Sequence, residues 1–200
     1  MVKTDYKKEY EKIFTENIKR EGADKLLKYL KDDTDFFKAP ASTRFHGNHE
    51  GGLAEHSVKV YLRFVKMLKA EHGDDYFKVN PKMAESAAII ALLHDICKTD
   101  YYKVEMRNVK EGSEWVKKPY YAVEDALPYG HGEKSVYMIS GYMKLSREEA
   151  MAINWHMGAY DDRNSKGNYI LNEVFQKFPL ALLFHIADLM TSNLDEAVTK

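Results

Sequence analysis

The stretch that decides the fold is Ala87-Ala-Ile-Ile-Ala-Leu-Leu-His-Asp-Ile-Cys-Lys98. Its first part, Ala87 to Leu93, is apolar on every side of a helix, which is typical of a helix at the centre of a helical domain. The imidazole of His94 and the carboxylate of Asp95 follow at once. Burying both groups is expensive unless a metal ion or another partner compensates them. The stretch therefore predicts a central helix that ends in a functional site.

Apolar residues at helical spacing continue on both sides of this centre. The clearest case is the long amphipathic stretch from Leu53 to about Glu71, which follows Gly51-Gly52 and ends before Gly73. Ser146 opens another helix with a capping-box pattern. The predicted helices cover residues 5–20, a short segment after Gly22, 53–71, a segment from Pro81, 132–144, 146–156 and 178–197.

The pattern changes only between residues 101 and 124. Two segments rich in aromatic and β-branched residues flank Lys110-Glu-Gly-Ser-Glu114, which indicates a β-hairpin. Pro119 confines the second strand to an edge. We therefore predict an all-α helical bundle with one small β-hairpin insertion around residues 101–124.

Composition favours one domain of ordinary size. The chain has 200 residues, of which 44% are hydrophobic and 30% charged, within the globular range. We expect a single domain over 1–200, with a helical N-terminal lead (1–36) and a core (37–197). The apolar runs are too short to span a membrane, and the N-terminus lacks a secretory signal, so we expect a cytoplasmic protein.

A formal charge of −1 provides no general attraction to nucleic acids or anionic membranes. Basic residues of the hairpin alternate with glutamates, so we interpret it as a solvated surface. The single cysteine, Cys97, lies in an apolar segment and is interpreted as a buried reduced thiol. No obligatory protein partner is evident, and a homo-oligomer remains open.

Other histidines and an aspartate stand at matching places on other predicted helices. Asp188 is a carboxylate inside a nearly all-apolar helix, where burial without a cation costs several kcal/mol. Helices of a bundle can direct such side chains to a shared centre. The candidate metal ligands are His56, His94, Asp95, His131, His156 and Asp188.

This ordered set resembles that of the HD-domain metal-dependent phosphohydrolases, in the fuller form of a dinuclear subset. The resemblance covers about residues 37 to 195. It includes the strings Gly51-Gly-Leu-Ala-Glu-His-Ser57, Leu92-Leu-His-Asp-Ile-Cys-Lys98, Trp155-His-Met-Gly158 and His185-Ile-Ala-Asp188. The chain is especially similar to the HD half of a bacterial 3′-to-5′ exoribonuclease family, with a helical lead in place of that family's oligonucleotide-binding barrel.

The resemblance implies divalent metal ions, and we expect two. Nitrogen and oxygen ligands without thiolate suit Mn, Fe, Co, Ni or Mg better than a structural zinc. Asp95 would bridge, His56, His94 and Asp188 would complete one ion, and His131 and His156 the other. A mononuclear site, with His131 and His156 as outer groups, is the alternative.

Further residues are candidates for contacting a substrate. Lys98, one turn beyond His94, could place a positive charge against a phosphate oxygen, or could instead complement the helix dipole. Arg163 and Lys166 are candidates to hold the far end of the substrate. His46 and His49 could line the cleft or be ordinary loop residues.

These expectations describe a phosphomonoesterase or phosphodiesterase with Asp95 and Lys98 as its catalytic residues. Its substrate would be a small phosphorylated molecule such as a nucleotide, or a short single-stranded nucleic acid. Two alternatives stay open, because fold and ligands do not determine chemistry. One is a dinuclear-iron oxygenase with the same ligands, and the other is a catalytically silent nucleotide-binding module.

Overall fold

The computed structural model describes residues 4–161, 163 and 169–196. The structure is mainly helical and carries one two-stranded antiparallel hairpin, as predicted. The helices are α1 (Tyr6–Asn17), α2 (Ala23–Asp32), α3 (Gly52–His72), α4 (Tyr76–Val79), α5 (Pro81–Leu93), α6 (His131–Ser140), α7 (Arg147–Asn154), α8 (Tyr169–Lys177) and α9 (Pro179–Met190). The strands are β1 (Tyr102–Glu111) and β2 (Glu114–Val123), and a π-helical turn (Thr191–Asp195) follows α9.

Helix α5 lies at the centre of the bundle. Every residue from Ala87 to Leu93 is completely buried, which confirms the predicted central helix. Helices α1, α3 and α7 pack against it. The Tyr10 hydroxyl of α1 donates a hydrogen bond to the Leu92 carbonyl at 3.0 Å, so the N-terminal lead contributes to the same core.

Two glycines allow the start of α3 to pack closely against the preceding loop. Gly51 adopts a φ of +77°, and a Cβ on Gly52 would lie 1.9 Å from the Gly47 carbonyl oxygen. Side chains larger than hydrogen do not fit there. The close approach sets the loop of residues 42–50 beside the first turn of α3, where His56 lies.

The C-terminal region differs from its predicted form. The periodicity of 178–197 predicts one helix, but α9 ends at Met190 and a π-helical turn follows. The Thr191 hydroxyl donates to the Ala187 carbonyl at 2.8 Å, where it competes with regular helical bonding. The short helices α4 and α8 were not predicted, and α6 ends at Ser140 rather than near Lys144.

The hairpin pairs ten residues of each strand, from Tyr102 opposite Val123 to Glu111 opposite Glu114. Its tip is exposed on both faces, and its base is half-buried against the bundle. Pro119 stands opposite Met106 in a sheet that has only edge strands. Among the described residues, no helix has the length and apolar character needed to cross a membrane.

Candidate metal centre

The six predicted ligands come together at the end of α5. His94 follows the last residue of that helix, and Asp95 leaves helical geometry (φ −104°, ψ 16°) before a short 3₁₀ turn. This break directs the Asp95 carboxylate into the bundle. The other ligands come from α3 (His56), the first residue of α6 (His131), the end of α7 (His156) and α9 (Asp188).

Asp95 lies at the middle of the cluster and presents each oxygen to a different pair of imidazoles. Its Oδ1 lies 2.8 Å from His131 Nε2 and 3.4 Å from His156 Nε2. Its Oδ2 lies 3.4 Å from His94 Nε2 and 3.8 Å from His56 Nε2. Each oxygen of Asp95 therefore faces a different pair of the candidate ligands.

Backbone carbonyls determine the tautomers of two rings. His94 Nδ1 lies 2.9 Å from the Ala91 carbonyl oxygen, and His156 Nδ1 lies 2.6 Å from that of Ile153. A carbonyl oxygen only accepts, so each Nδ1 carries the proton and donates it. In the neutral ring, the Nε2 lone pair then points toward Asp95. This orientation is the one that metal-ligating histidines adopt.

Three of the inward-facing atoms are buried without a hydrogen-bond partner among the described residues. They are His94 Nε2, His156 Nε2 and Asp188 Oδ1. Leaving buried acceptors unsatisfied is costly, and such groups are rare in native proteins. Divalent cations would satisfy these atoms, because His94 shares one possible ligand set with Asp188 and another with His156, so the donor set of this centre fits metal ions.

Glu196 also contacts the centre, although no pattern in the sequence predicts it. Its Oε2 lies 2.8 Å from His56 Nδ1, and its other oxygen lies 3.4 Å from Lys59 Nζ. On the opposite side of the ring, His56 Nε2 lies 3.2 Å from Asp188 Oδ1. Burial lowers the pKa of His56, but the two carboxylates outweigh burial and raise that pKa to about 9.

Lys98 also reaches the cluster. Its Nζ lies 2.6 Å from Asp95 Oδ2 in a nearly buried ion pair. Burial lowers the pKa of Lys98, but the charge of Asp95 outweighs burial and the net shift is upward. Burial would raise the pKa of Asp95, yet Lys98 and the surrounding histidines hold it well below its usual range. Lys98 therefore stays a fixed positive charge inside the centre.

Several sets of side chains could hold a metal ion, with ligand atoms that all lie within 4.8 Å of one another. Two sets share His94: one joins it to His56 and Asp188, and the other to Asp95 and His156. The remaining sets are His46, His56 and Glu196, and Asp95, Cys97 and His131.

Cys97 is buried, as predicted, and its sulfur lies 3.4 Å from His131 Nδ1. Burial raises the pKa of its thiol to about 12. In the metal-free protein the side chain is therefore a neutral thiol, which agrees with the interpretation of a buried reduced cysteine.

Of the two loop histidines, only His46 adjoins the centre. Its ring centroid lies 4.7 Å from that of His56, and burial, followed by the charge of His56, lowers its pKa to about 4. His49 is largely exposed and contacts the Glu50 carbonyl and, at 3.6 Å, Glu55. The structure does not bring His49 to the metal-ligand cluster.

The guanidinium of Arg163 is engaged by other residues of this chain. It forms a bidentate pair with Asp161, donates to the Asn154 carbonyl at 2.9 Å, and lies over the ring of Trp155. It also pairs with Glu133. These contacts do not leave it open to a substrate, so its predicted binding role gains no support. Lys166, the other candidate of that loop, lies outside the described residues.

His185 holds the backbone at His156 in place. Its Nδ1 donates to the His156 carbonyl at 2.6 Å, and its ring stacks on Phe175. Gly158 has a φ of +55°, and a Cβ there would lie 2.3 Å from His185 Cε1. The glycine of the Trp-His-Met-Gly string therefore lets His185 approach the chain that carries His156.

A scan against protein-family models, a search of the curated proteins and a search of the solved structures each found no match. The functional interpretation therefore depends on the residues themselves. They form a buried histidine and aspartate cluster that could hold a metal ion.

Proposed function

We propose that this protein is an HD-type metal-dependent phosphohydrolase that hydrolyses a phosphate ester, in the form of a nucleotide or a short single-stranded nucleic acid. One observation carries the proposal. His94 and His156 direct unpartnered Nε2 atoms toward a single buried carboxylate, Asp95. The order of the ligands along the chain, together with this geometry, is what the resemblance to that family implies.

In this proposal His56, His94 and Asp188 would hold one ion, His131 and His156 would hold the other, and Asp95 would contribute to both. Divalent ions at such a site supply an activated water at neutral pH and neutralise charge on the phosphoryl oxygens. The protein keeps the rings oriented through the carbonyls of the preceding helical turns.

Lys98 contributes charge rather than a proton. Because its pKa is raised, it stays an ammonium group across the physiological range. An ammonium held in a nearly water-free site stabilises negative charge that develops on a phosphate oxygen. Lys98 is therefore the residue of this chain proposed to contact the transferred group.

The test is a metal-supplemented screen on the full chain. Chelator-treated protein would be reloaded with Mn²⁺, Co²⁺, Mg²⁺ or anaerobic Fe²⁺ and offered nucleoside mono-, di- and triphosphates, cyclic nucleotides and short RNA. We expect phosphate or nucleotide release that requires the metal. Oxygen consumption without phosphate release would instead indicate the oxygenase, and nucleotide binding without any product would indicate the silent binding module.

The variant Lys98→Gln tests the proposed role of that residue within the same screen. We expect metal content to be retained and kcat/KM to fall by about 100-fold, as when one preorganised donor to a transition state is removed. Lys110→Gln, which removes a charge from the exposed hairpin, is the control. Unchanged kinetics in Lys98→Gln would contradict the role.

A further inference from the structure

A cavity lies between the loop of residues 42–50 and the hairpin. Its volume is about 470 Å³. Small-molecule sites typically range from about 300 to 1,000 Å³. Its lining includes Thr43, Arg44 and Asn48 of the loop and Arg107, Tyr120 and Tyr121 of the hairpin.

Two arginines of the cavity lining have no ion-pair partner of their own. Among the described residues, neither Arg44 nor Arg107 has a carboxylate within ion-pair distance, whereas Lys103 of the same hairpin pairs with Glu105 at 3.1 Å. A guanidinium presents a planar set of donors that matches phosphate oxygens. The cavity is therefore suited to an anion of that type.

The aromatic side chains of the cavity hold Arg107 in place. Its guanidinium carbon lies 5.2 Å from the centroid of the Tyr120 ring, a cation–π arrangement. The Tyr120 hydroxyl in turn donates to Glu105 at 2.8 Å, which fixes the ring. Nucleic-acid bases stack on tyrosine rings and on arginine planes, so this wall suits a base as well as a phosphate.

Both walls of the cavity lead to the metal centre. On the hairpin side, the Tyr121 ring lies 6.3 Å from that of Tyr102, whose pKa is raised to about 12 by burial and is also influenced by the charges of Lys98 and Asp95. On the other side, His46 belongs to the same loop as Arg44 and packs on His56. The cavity is therefore connected to the metal centre through Tyr102 and the loop that carries His46, although none of the six candidate ligands lines it.

We propose that this cavity binds a nucleotide unit, with its phosphate on Arg44 and Arg107 and its base against Tyr121. The inference rests on the proposed function and narrows its substrate class. The bound phosphate is distinct from the one at the metal centre, so the substrate is a nucleoside polyphosphate or an oligonucleotide.

The test is calorimetric binding of AMP, adenosine and inorganic phosphate to the full chain in EDTA, so that the metal centre does not contribute. AMP should bind more tightly than adenosine or phosphate alone. Arg44→Gln and Arg107→Gln should each weaken AMP binding by about 10-fold or more, the usual loss of a charged hydrogen bond. Tyr121→Leu should weaken both AMP and adenosine, because it removes a stacking surface.

Lys110→Gln is the matched control, because Lys110 is a hairpin cation without a carboxylate partner among the described residues and does not line the cavity. It should change AMP affinity by less than about twofold, as expected for an exposed charge. Circular dichroism would confirm that every variant is folded.

The outcomes separate this inference from the proposed function. AMP affinity that is equal in Arg44→Gln, Arg107→Gln and Lys110→Gln, or absent in the unaltered protein, would overturn the nucleotide site even if the metals drive hydrolysis. Arginine-dependent AMP binding by a protein that neither binds Mn²⁺ nor hydrolyses any substrate would support the site and overturn the proposed function.

Discussion

The two ends of α5 each hold a buried polar cluster, and the clusters differ in how completely their atoms are paired. Near the start of α5, the fully buried carboxylate of Glu149 accepts hydrogen bonds from four donors. They are two nitrogens of Arg20 at 2.6 and 2.9 Å, the Ser86 hydroxyl at 2.7 Å and the Ser146 backbone nitrogen at 2.7 Å. This first cluster has no need of a ligand.

At the other end of α5, the His94 and His156 side chains each keep one buried nitrogen without a hydrogen-bond partner among the described residues, and Asp188 Oδ1 lies 3.2 Å from His56 Nε2. A paired cluster lowers the energy of the fold, whereas converging unpaired atoms raise it until a ligand binds. The comparison therefore indicates a structural role for the first cluster, whereas the second has side chains that could hold a metal ion.

The largest expected effect is on stability, in Glu149→Ala. The variant leaves the guanidinium of Arg20, which is 23% exposed, without its main partner. Breaking a buried pair in this way costs about 3–5 kcal/mol of unfolding free energy. Urea denaturation would measure it, with Glu85→Ala as the control. The Arg20–Glu85 contact is longer, at 3.3 Å, and more exposed, and the Lys19 backbone nitrogen that also donates to Glu85 is open to water, so Glu85→Ala should cost clearly less than Glu149→Ala, about 1 kcal/mol.

The second largest expected effect is a loss of Mn²⁺ affinity in Asp95→Asn. An amide keeps the shape of the side chain but loses the charge that two ions would share, so Mn²⁺ affinity should fall by more than the roughly 10–100-fold seen when an outer partner is lost. Titration calorimetry and elemental analysis would measure it. Glu149→Gln changes the carboxylate of the other cluster and should leave Mn²⁺ affinity unaltered. Full Mn²⁺ occupancy in Asp95→Asn would contradict the assignment.

A smaller effect is expected in Glu196→Gln. Glu196 acts through His56, whose ring it holds at 2.8 Å, and so Mn²⁺ affinity should fall by about 10–100-fold. The control is Asp195→Asn, which removes the neighbouring ion pair with Arg63 and leaves His56 untouched. Equal affinities in the two variants would make Glu196 a purely structural residue.

The smallest expected effect is on how the unfolding free energy depends on pH in acid. Burial raises the pKa of Glu149, but hydrogen bonds from Arg20 and Ser86 outweigh burial and lower it below the ordinary 4.5. The ionised Glu149 carboxylate therefore contributes its full stabilisation of the fold above pH 4.5, and this contribution is lost as the pH falls through the folded-state pKa. Glu149→Gln should show a flatter fall in unfolding free energy between pH 5 and 3 than the unaltered protein. Glu173→Gln, at an exposed ion pair, should not flatten it.

Local patterns predicted the long elements well and the short ones poorly. The capping box at Ser146 and the hairpin around Gly112 appear as predicted, because each depends on residues a few positions apart. Helix α8 was missed, since its nine residues give few turns of periodicity. The π-helical turn after α9 was not predicted, because the hydrogen bond from the Thr191 hydroxyl to the Ala187 carbonyl does not change the spacing of apolar residues.

The order of residues by itself determined the central helix and pointed to six candidate ligands, because His94, Asp95 and Asp188 are anomalous in apolar helices and the other three histidines stand at matching places on neighbouring predicted helices. Only the tertiary structure decided how those ligands are held. Glu196 reaches His56 across 140 positions, and Arg163 is taken up by Asp161, Glu133 and Asn154. Such pairings depend on which helices pack side by side, and on which buried atoms then remain unpaired, and neither follows from spacing along one helix.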